Sequence, residues 1–435
     1  MSVEHDRAIL RFALPALATL AVDPLVSLVD TAFVGRLGTG ALAALGVNAG
    51  IFGLAFVVFN FLANGTTPIV ARSVGEGRRE HAGRVVVAGL GIAVALGAAA
   101  TALLLLLAAP IAGWMGADAG LLDETLAYLV ARAWAAPAVL IITTANGAYR
   151  GFHDTRTPLW VALGLNLVNL ILDPLFLFVL DWGVAGAAWA TVLAQWVGAL
   201  AFLILLYGRD RSRFHIPWAL PALPQVGLLL RVGSVLSVRT LALVFTLTTA
   251  TAVATRMGKE VVAAHQVAWQ LWLMTALFVD AFAYAAQSLV AEHEGAGRSR
   301  AARDVSDRLL QWGLLVGGVL AAVIWVMAPL WPQLFDLEPK VAALFGTVLP
   351  IVVVMQPLNA LVFVGDGIFM GARRFGWLAG AMVFAAIPAL VGMGWVLQQG
   401  LGLRPLWMCV VALIALRGLG LAVAYFGKRS ILPRN

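Results

Sequence analysis

Five aspartates, Asp23, Asp30, Asp173, Asp280 and Asp366, stand inside apolar stretches long enough to cross a membrane. An ionisable residue at that depth marks an ion path, a proton relay or a substrate contact by default. Asp23, Ser27, Asp30 and Thr31 follow one another at i, i+4, i+7 and i+8, which puts them on one helical face. Asn166, Asn169 and Asp173, at i, i+3 and i+7, form a second stripe. Facing each other, the two stripes would enclose a polar pocket within the N-terminal half. A carboxyl withdrawn from water beside a second carboxyl favours its neutral form, so such a pocket suits the carriage of a proton. The oxygens of Asp30, Asp173, Asn169 and Asn146 are also hard ligands of the kind Na+ takes, so both coupling ions stay open. The alternative is purely structural: polar side chains that pin helices together. It weighs most for Asp23, which directly precedes Pro24 and can serve the backbone group that the proline frees.

A second polar set lies in the C-terminal half. Asp280, Tyr284 and Gln287 share one face, and Asp366 lies farther on. They correspond in position to Asn60, Asn64 and Thr67, and to Asn146, in the first half. Arg239 and Arg417 lie within spans and need partners there, which Asp280 and Asp366 can supply as structural ion pairs or within a transport role. Arg132 is the remaining basic residue at depth.

The correspondence extends along the whole chain. Shifted by 220 positions, Arg11 meets Arg231, Arg36-Leu37-Gly38 meets Arg256-Met257-Gly258, Pro137 meets Pro357, and Gly147 and Gly151 meet Gly367 and Gly371. The chain is a duplication. With 62% hydrophobic and 12% charged residues it is an integral membrane protein, which excludes a soluble class. Twelve spans of about 20 residues or more fit the apolar stretches, six per half. An even number per half inserts both halves in the same sense, related by an axis along the membrane normal. The predicted fold is therefore all-α, with twelve transmembrane helices in two pseudo-symmetric lobes. The expected boundaries are 1–208 for the first lobe, 209–224 for a cytoplasmic linker and 225–435 for the second lobe. The linker is basic and then broken by Pro217, Pro221 and Pro224, so it should be non-helical or only briefly helical. Pro15 and Pro24 make the first span the expected place for a bend.

The net charge of +7 is distributed by side rather than gathered into a patch. Most of the 29 Lys and Arg fall at the termini and in the even-to-odd loops, whereas Arg36, Arg256, Lys259, Lys340 and Arg404 mark the other face. Both termini are thus expected in the cytoplasm, and nucleic acid is excluded as a partner. The first span is too long for a signal peptide, and it belongs to the repeat. Cys409 is the sole cysteine, so neither a disulfide nor a multi-cysteine metal site forms within the chain. Gly75-Glu76-Gly77 and Gly295-Ala296-Gly297 lack the strand and the Lys-Ser/Thr of a phosphate loop and read as turns. His265 reads as a hydrogen-bonded histidine rather than a relay. No motif supports an intramembrane enzyme, so no catalytic residue or bound cofactor is assigned.

Several segments carry a family resemblance: Leu28 to Gly35 (LVDTAFVG), Asn166 to Pro174 (NLVNLILDP), Gly186 to Thr191 (GAAWAT), Val279 to Ala285 (VDAFAYA) and Asp366 to Gly371 (DGIFMG). In this order, with the duplication and the twelve spans, they resemble the multidrug and toxic compound extrusion (MATE) family, in particular its DinF-like branch. The resemblance implies a V-shaped pair of six-helix lobes and an antiporter driven by H+ or Na+. It implies that Asp30 is the essential first-span acid, with Asp173, Asn169, Asn146 and Thr191 as its hydrogen-bonding partners. Asp23, Asn166, Asn60, Asn64, Asp280, Tyr284, Asp366 and Arg239 are auxiliary candidates. Val26 and Asp23 depart from the family pattern. The expected function is export of small organic, cationic or amphipathic compounds in exchange for H+. Na+ coupling, export of organic anions and flipping of lipid-linked oligosaccharides are the alternatives. A monomer in the inner membrane, contacting substrate and lipid, completes the expectation.

Overall fold

Bilayers leave a backbone no partner but itself, and the chain answers with helices throughout. The computed structural model describes residues 2–117, 120–427 and 431–432; the basic residues expected at the extreme C-terminus lie outside these. The first half runs α1 (Ser2–Gly35), α2 (Thr39–Val57), α3 (Phe61–Gly75), α4 (Arg79–Leu106), α5 (Ala108–Trp114), α6 (Leu122–Ala133), α7 (Ala136–Gly151), α8 (Arg156–Pro174) and α9 (Gly183–Tyr207). A short α10 (Arg211–Phe214) precedes α11 (Leu223–Arg256), α12 (Lys259–Gly295), α13 (Ser299–Val326), α14 (Trp331–Leu334), α15 (Pro339–Gly371), α16 (Phe375–Gln398) and α17 (Leu403–Phe426). Among the described residues eleven helical stretches are long and apolar enough to span, and α6 with α7, bent by 50°, makes a twelfth if the pair is one span.

The helix breaks fall elsewhere than at the prolines of the first span. α1 is unbroken through Pro15 and Pro24. Interruptions occur instead at the 3-10 turn Val58–Asn60 between α2 and α3, at the α6–α7 bend and at the π turn Leu175–Val179 that follows Pro174. The last fits the rule that proline removes a ladder hydrogen bond and crowds the preceding turn.

Two compact units result, residues 18–233 and residues 1–17 with 234–435. The boundaries expected at 208 and 225 are thus displaced: the start of each half's first long helix belongs to the other unit. Specific contacts explain both displacements. Asp6 accepts hydrogen bonds from Arg308 at 2.6 and 2.7 Å and from Trp312 Nε1 at 2.7 Å, which ties the beginning of α1 to α13. At the beginning of α11 the ties are apolar, with Val232 against Gly65 and Leu229 near Gly89.

The segment expected as a free linker is also held. Tyr149 donates to Asp210 Oδ2 at 2.8 Å, and the rings of Phe152 and Phe214 stack with centroids 3.9 Å apart. His215, left-handed at φ 53°, lays its carbonyl over Gly83, where no side chain would fit. The tail after α17 makes the matching contact in the second unit. There Arg303, at the position that corresponds to Gly83, donates to the carbonyls of Tyr425 at 2.9 Å and Leu432 at 3.5 Å. The linker is the first repeat's own tail, docked on its lobe.

Close helix approach repeats in the same way. α3 packs along α7 and α12 along α15. A Cβ on Gly147 would lie 2.8 Å from Ala63 Cα, and one on Gly367 would collide with the backbone of Ala283. Thr67 donates across the first contact to Gly147 O at 2.9 Å. Small residues let helices meet where no hydrophobic effect drives them together. Gly367→Val should therefore cost about 1–3 kcal/mol by overpacking, seen as a lower unfolding temperature in detergent. Gly376→Val, with nothing within 4 Å, should leave that temperature unchanged.

Candidate functional site

The two polar stripes line one cavity of about 440 Å³ in the first unit. α1 contributes Asp23, Ser27, Asp30 and Thr31; α8 contributes Asn166, Asn169 and Asp173; α9 contributes Thr191 and Gln195. The helical spacing that stacks each set along one face is what delivers them to a common space. Thr31 and Thr191 return their hydroxyls to carbonyls one turn back, Ser27 O at 2.7 Å and Ala187 O at 2.9 Å, so both present an acceptor lone pair to the cavity.

Within it the carboxyls are held differently. Asn166 donates to Asp23 Oδ1 at 3.0 Å, an amide tie between α8 and α1. Asn169 donates to Asp173 Oδ1 at 3.3 Å along α8 itself. Asp30 and Asp173 lie within electrostatic reach of each other across the two helices. Asp30 Oδ1 and Asp173 Oδ2 are both buried without a donor among the described residues. Two carboxyl oxygens attract only with a proton between them.

Two polar lining residues were not picked out by the sequence reading, Tyr128 on α6 and Gln195 on α9, and Arg132 on α6 was noted there only as a basic residue at depth. Arg132 lies within electrostatic reach of Asp30 and 5.7 Å from the Phe52 ring, and its Nη1 has no hydrogen-bond partner among the described residues. The signal was present, since Tyr128 and Arg132 sit at i, i+4 and a lone arginine at depth calls for a partner. Gln195 likewise stands one turn beyond Thr191.

The structure does not bring every candidate to this cavity. Asn146, on α7 beyond the α6–α7 bend, is absent from its lining, and its Oδ1 meets no donor among the described residues. Asn60 ends the 3-10 turn, exposed, and Asn64 follows on α3; neither lines the cavity.

In the second unit the acids meet arginine instead. Arg239 on α11 and Arg417 on α17 both pair with Oδ2 of Asp366 on α15. Asp280 on α12 lies within electrostatic reach of both guanidinium groups. The cluster is buried, with Arg417 at 2% and Asp366 at 5% side-chain exposure. Tyr284 lies one turn beyond Asp280 on α12, half-buried. His265 bonds Thr251 Oγ1 at 3.1 Å beside the ring of Trp407, as a packed histidine does. Among the described residues no group of three or more His, Cys, Asp or Glu could hold a metal ion.

Comparison with known proteins fits this arrangement. The profile of the family MatE matches twice, over residues 15–175 and 236–396, once in each half. This chain belongs to the MATE family. It is a membrane-embedded, multi-pass efflux transporter and not an enzyme. Protein DETOXIFICATION 44, chloroplastic, of Arabidopsis thaliana is 35% identical over 94% of this chain and 80% of its own length. DNA damage-inducible protein F of Escherichia coli is 27% identical over 97% of this chain and 92% of its own. The fold matches a MOP superfamily transporter from Pyrococcus furiosus at TM-score 0.88, covering 97% of this chain and 95% of that one at 22% identity. An outward-facing multidrug resistance MATE transporter matches at 0.88, with the same 22% identity and the same coverage.

The two acid clusters should respond differently to substitution in this MATE transporter. Asp366→Asn leaves two buried guanidinium groups without their shared counter-charge, a loss of about 3–5 kcal/mol. A sharply lower unfolding temperature in detergent is expected. Asp23→Asn, whose partner is an amide, should unfold within a few degrees of wild type.

Proposed function

We propose that this transporter is an H+-coupled antiporter exporting small organic, cationic or amphipathic compounds by alternating access, with Asp30 and Asp173 as the coupling pair. The observation that carries the reading is the meeting of these two carboxyls from different helices inside one polar cavity. Asn169 and Thr191 support the pair, Asp23 and Asn166 tie α1 to α8, and Arg132 lies within electrostatic reach of Asp30. The arginines of the second unit are already engaged by Asp366, which favours a cationic or neutral substrate over an organic anion.

In the cycle, an outward-open cavity admits a proton to the pair. Protonation removes a negative charge, weakens substrate binding and changes the contact between Asp30 on α1 and Asp173 on α8, so that α1 is free to bend at Pro24. Movement of the lobes then exposes the site inward, where proton loss restores the binding state. A tenfold bias needs a difference in affinity of only about 1.4 kcal/mol between the two protonation states. One buried pair suffices, with no cofactor beyond the coupling ion. We place the protein in the inner membrane as a monomer with both termini in the cytoplasm, on the asymmetry of Lys and Arg between the two faces.

Proteoliposomes with an imposed pH gradient test the reading. Wild type should export a cationic dye under an H+ gradient and fail to do so under a Na+ gradient alone. Asp30→Asn and Asp173→Asn should each lower the H+-driven rate at least tenfold while dye binding persists. An Asp30→Asn protein that exports at the wild-type rate would remove the pair from coupling, and export driven by Na+ alone would reassign the ion.

A further inference from the structure

The first unit carries a second pocket, about 870 Å³, that shares no lining residue with the acid cavity. It lies where two spans meet the aqueous boundary. Arg84 stands near the start of α4, Tyr207 closes α9, and Arg211 and His215 come from the docked linker. The linker's ties to Tyr149, Phe152 and Gly83 preform this pocket.

Its walls have a specific chemistry. The rings of Tyr207 and Trp218 pack with centroids 4.7 Å apart, and the Arg211 guanidinium lies 5.4 Å from the Trp218 ring. Arg211 Nε also donates to Ile216 O at 3.3 Å, which fixes the group beside the pocket. Glu80 is the only acid in the lining, and it is paired with Arg84 at 3.7 Å. Basic charge therefore prevails. Just past the pocket the linker exposes Trp218, Leu220 and Leu223 at 68%, 89% and 83%. Large apolar side chains so open to the surroundings, next to basic residues and at the ends of spans, belong at the headgroup boundary of a bilayer.

From these observations we infer that the pocket formed by Arg84, Arg211 and His215 binds the anionic headgroup of a phospholipid, with Trp218, Leu220 and Leu223 seated among acyl chains of the same leaflet. Clustered basic residues beside a span attract anionic lipid, and the aromatic wall accommodates the glycerol region. The duplication argues against a by-product of the scaffold. Positions that correspond to Arg84, Arg211 and Glu80 hold Asp304, Ile431 and Arg300, so the second lobe does not repeat this set of side chains.

Titration of the full-length protein in neutral detergent with phosphatidylglycerol, followed by native mass spectrometry, tests the site. Wild type should bind one phosphatidylglycerol at least tenfold more tightly than phosphatidylcholine. Arg84→Gln/Arg211→Gln should lose that preference, whereas Arg298→Gln/Arg300→Gln, basic residues on the corresponding turn of the second lobe, should keep it. Leu220→Ser/Leu223→Ser should weaken both lipids together. The inference is overturned if the Arg84/Arg211 variant, folded by its unfolding temperature, retains the preference, or if phosphatidylcholine binds equally well. Displacement of the lipid by an equal concentration of inorganic phosphate would overturn it as well, since the pocket would then serve a free anion.

Discussion

A charge that enters the bilayer must find its counterpart inside the protein, and in this transporter that requirement sorts the two halves. Water is not there to solvate a carboxylate, so each acid at depth is neutralised by a cation, by hydrogen-bond donors or by a proton. The second unit uses cations: Arg239 and Arg417 converge on Asp366, a fixed arrangement that any loss would leave unbalanced. The first unit uses amides for Asp23 and Asp173 and leaves Asp30 beside Asp173. A mobile cation, for which we propose a proton, is a counter-charge that can come and go. The scaffold is duplicated, but the balancing of charge is not, and that difference separates the lobe that holds from the lobe that can respond.

The same asymmetry runs through contacts that the duplication would otherwise make identical. Gly147 against Ala63 and Gly367 against Ala283 preserve the shared geometry, because close backbone approach tolerates no side chain. Where geometry is less strict, the chemistry has diverged. Gly83 lets the carbonyl of His215 settle directly on α4, whereas Arg303 at the matching place reaches for the carbonyls of Tyr425 and Leu432. The start of α1 is held by an ion pair and an indole, the start of α11 by aliphatic packing.

Much of this was legible in the residues. Helical periodicity put Asp23, Ser27, Asp30 and Thr31 on one face and Asn166, Asn169 and Asp173 on another, and both faces line the cavity, because a spanning helix fixes direction as well as spacing. Periodicity says nothing about which helix lies opposite. Asn146, matched to Asp366 by the repeat, stays out of the lining, while Arg132 and Tyr128 enter it from α6. Helix breaks were harder still. Pro24 suggested one in α1, yet α1 is unbroken and the interruptions lie at Val58–Asn60, where no proline signals one, and between α6 and α7, where Pro137 stands in the first turn of α7. Nor could composition reveal that the polar, proline-punctuated stretch after α9 is docked, since the anchors Tyr149, Phe152 and Gly83 lie far back in the chain.

The exchange of helix beginnings between units also sets an order of assembly. Asp6 is synthesised ahead of its partner Arg308, which lies 302 positions later. Throughout synthesis of the first half, the start of α1 has no home, and the first lobe itself stays incomplete until the beginning of α11 arrives. Neither half, made alone, contains all of its own walls. The start of α1 is thus placed only after residues far behind it in sequence, and its docking reports that the second half has been made and folded.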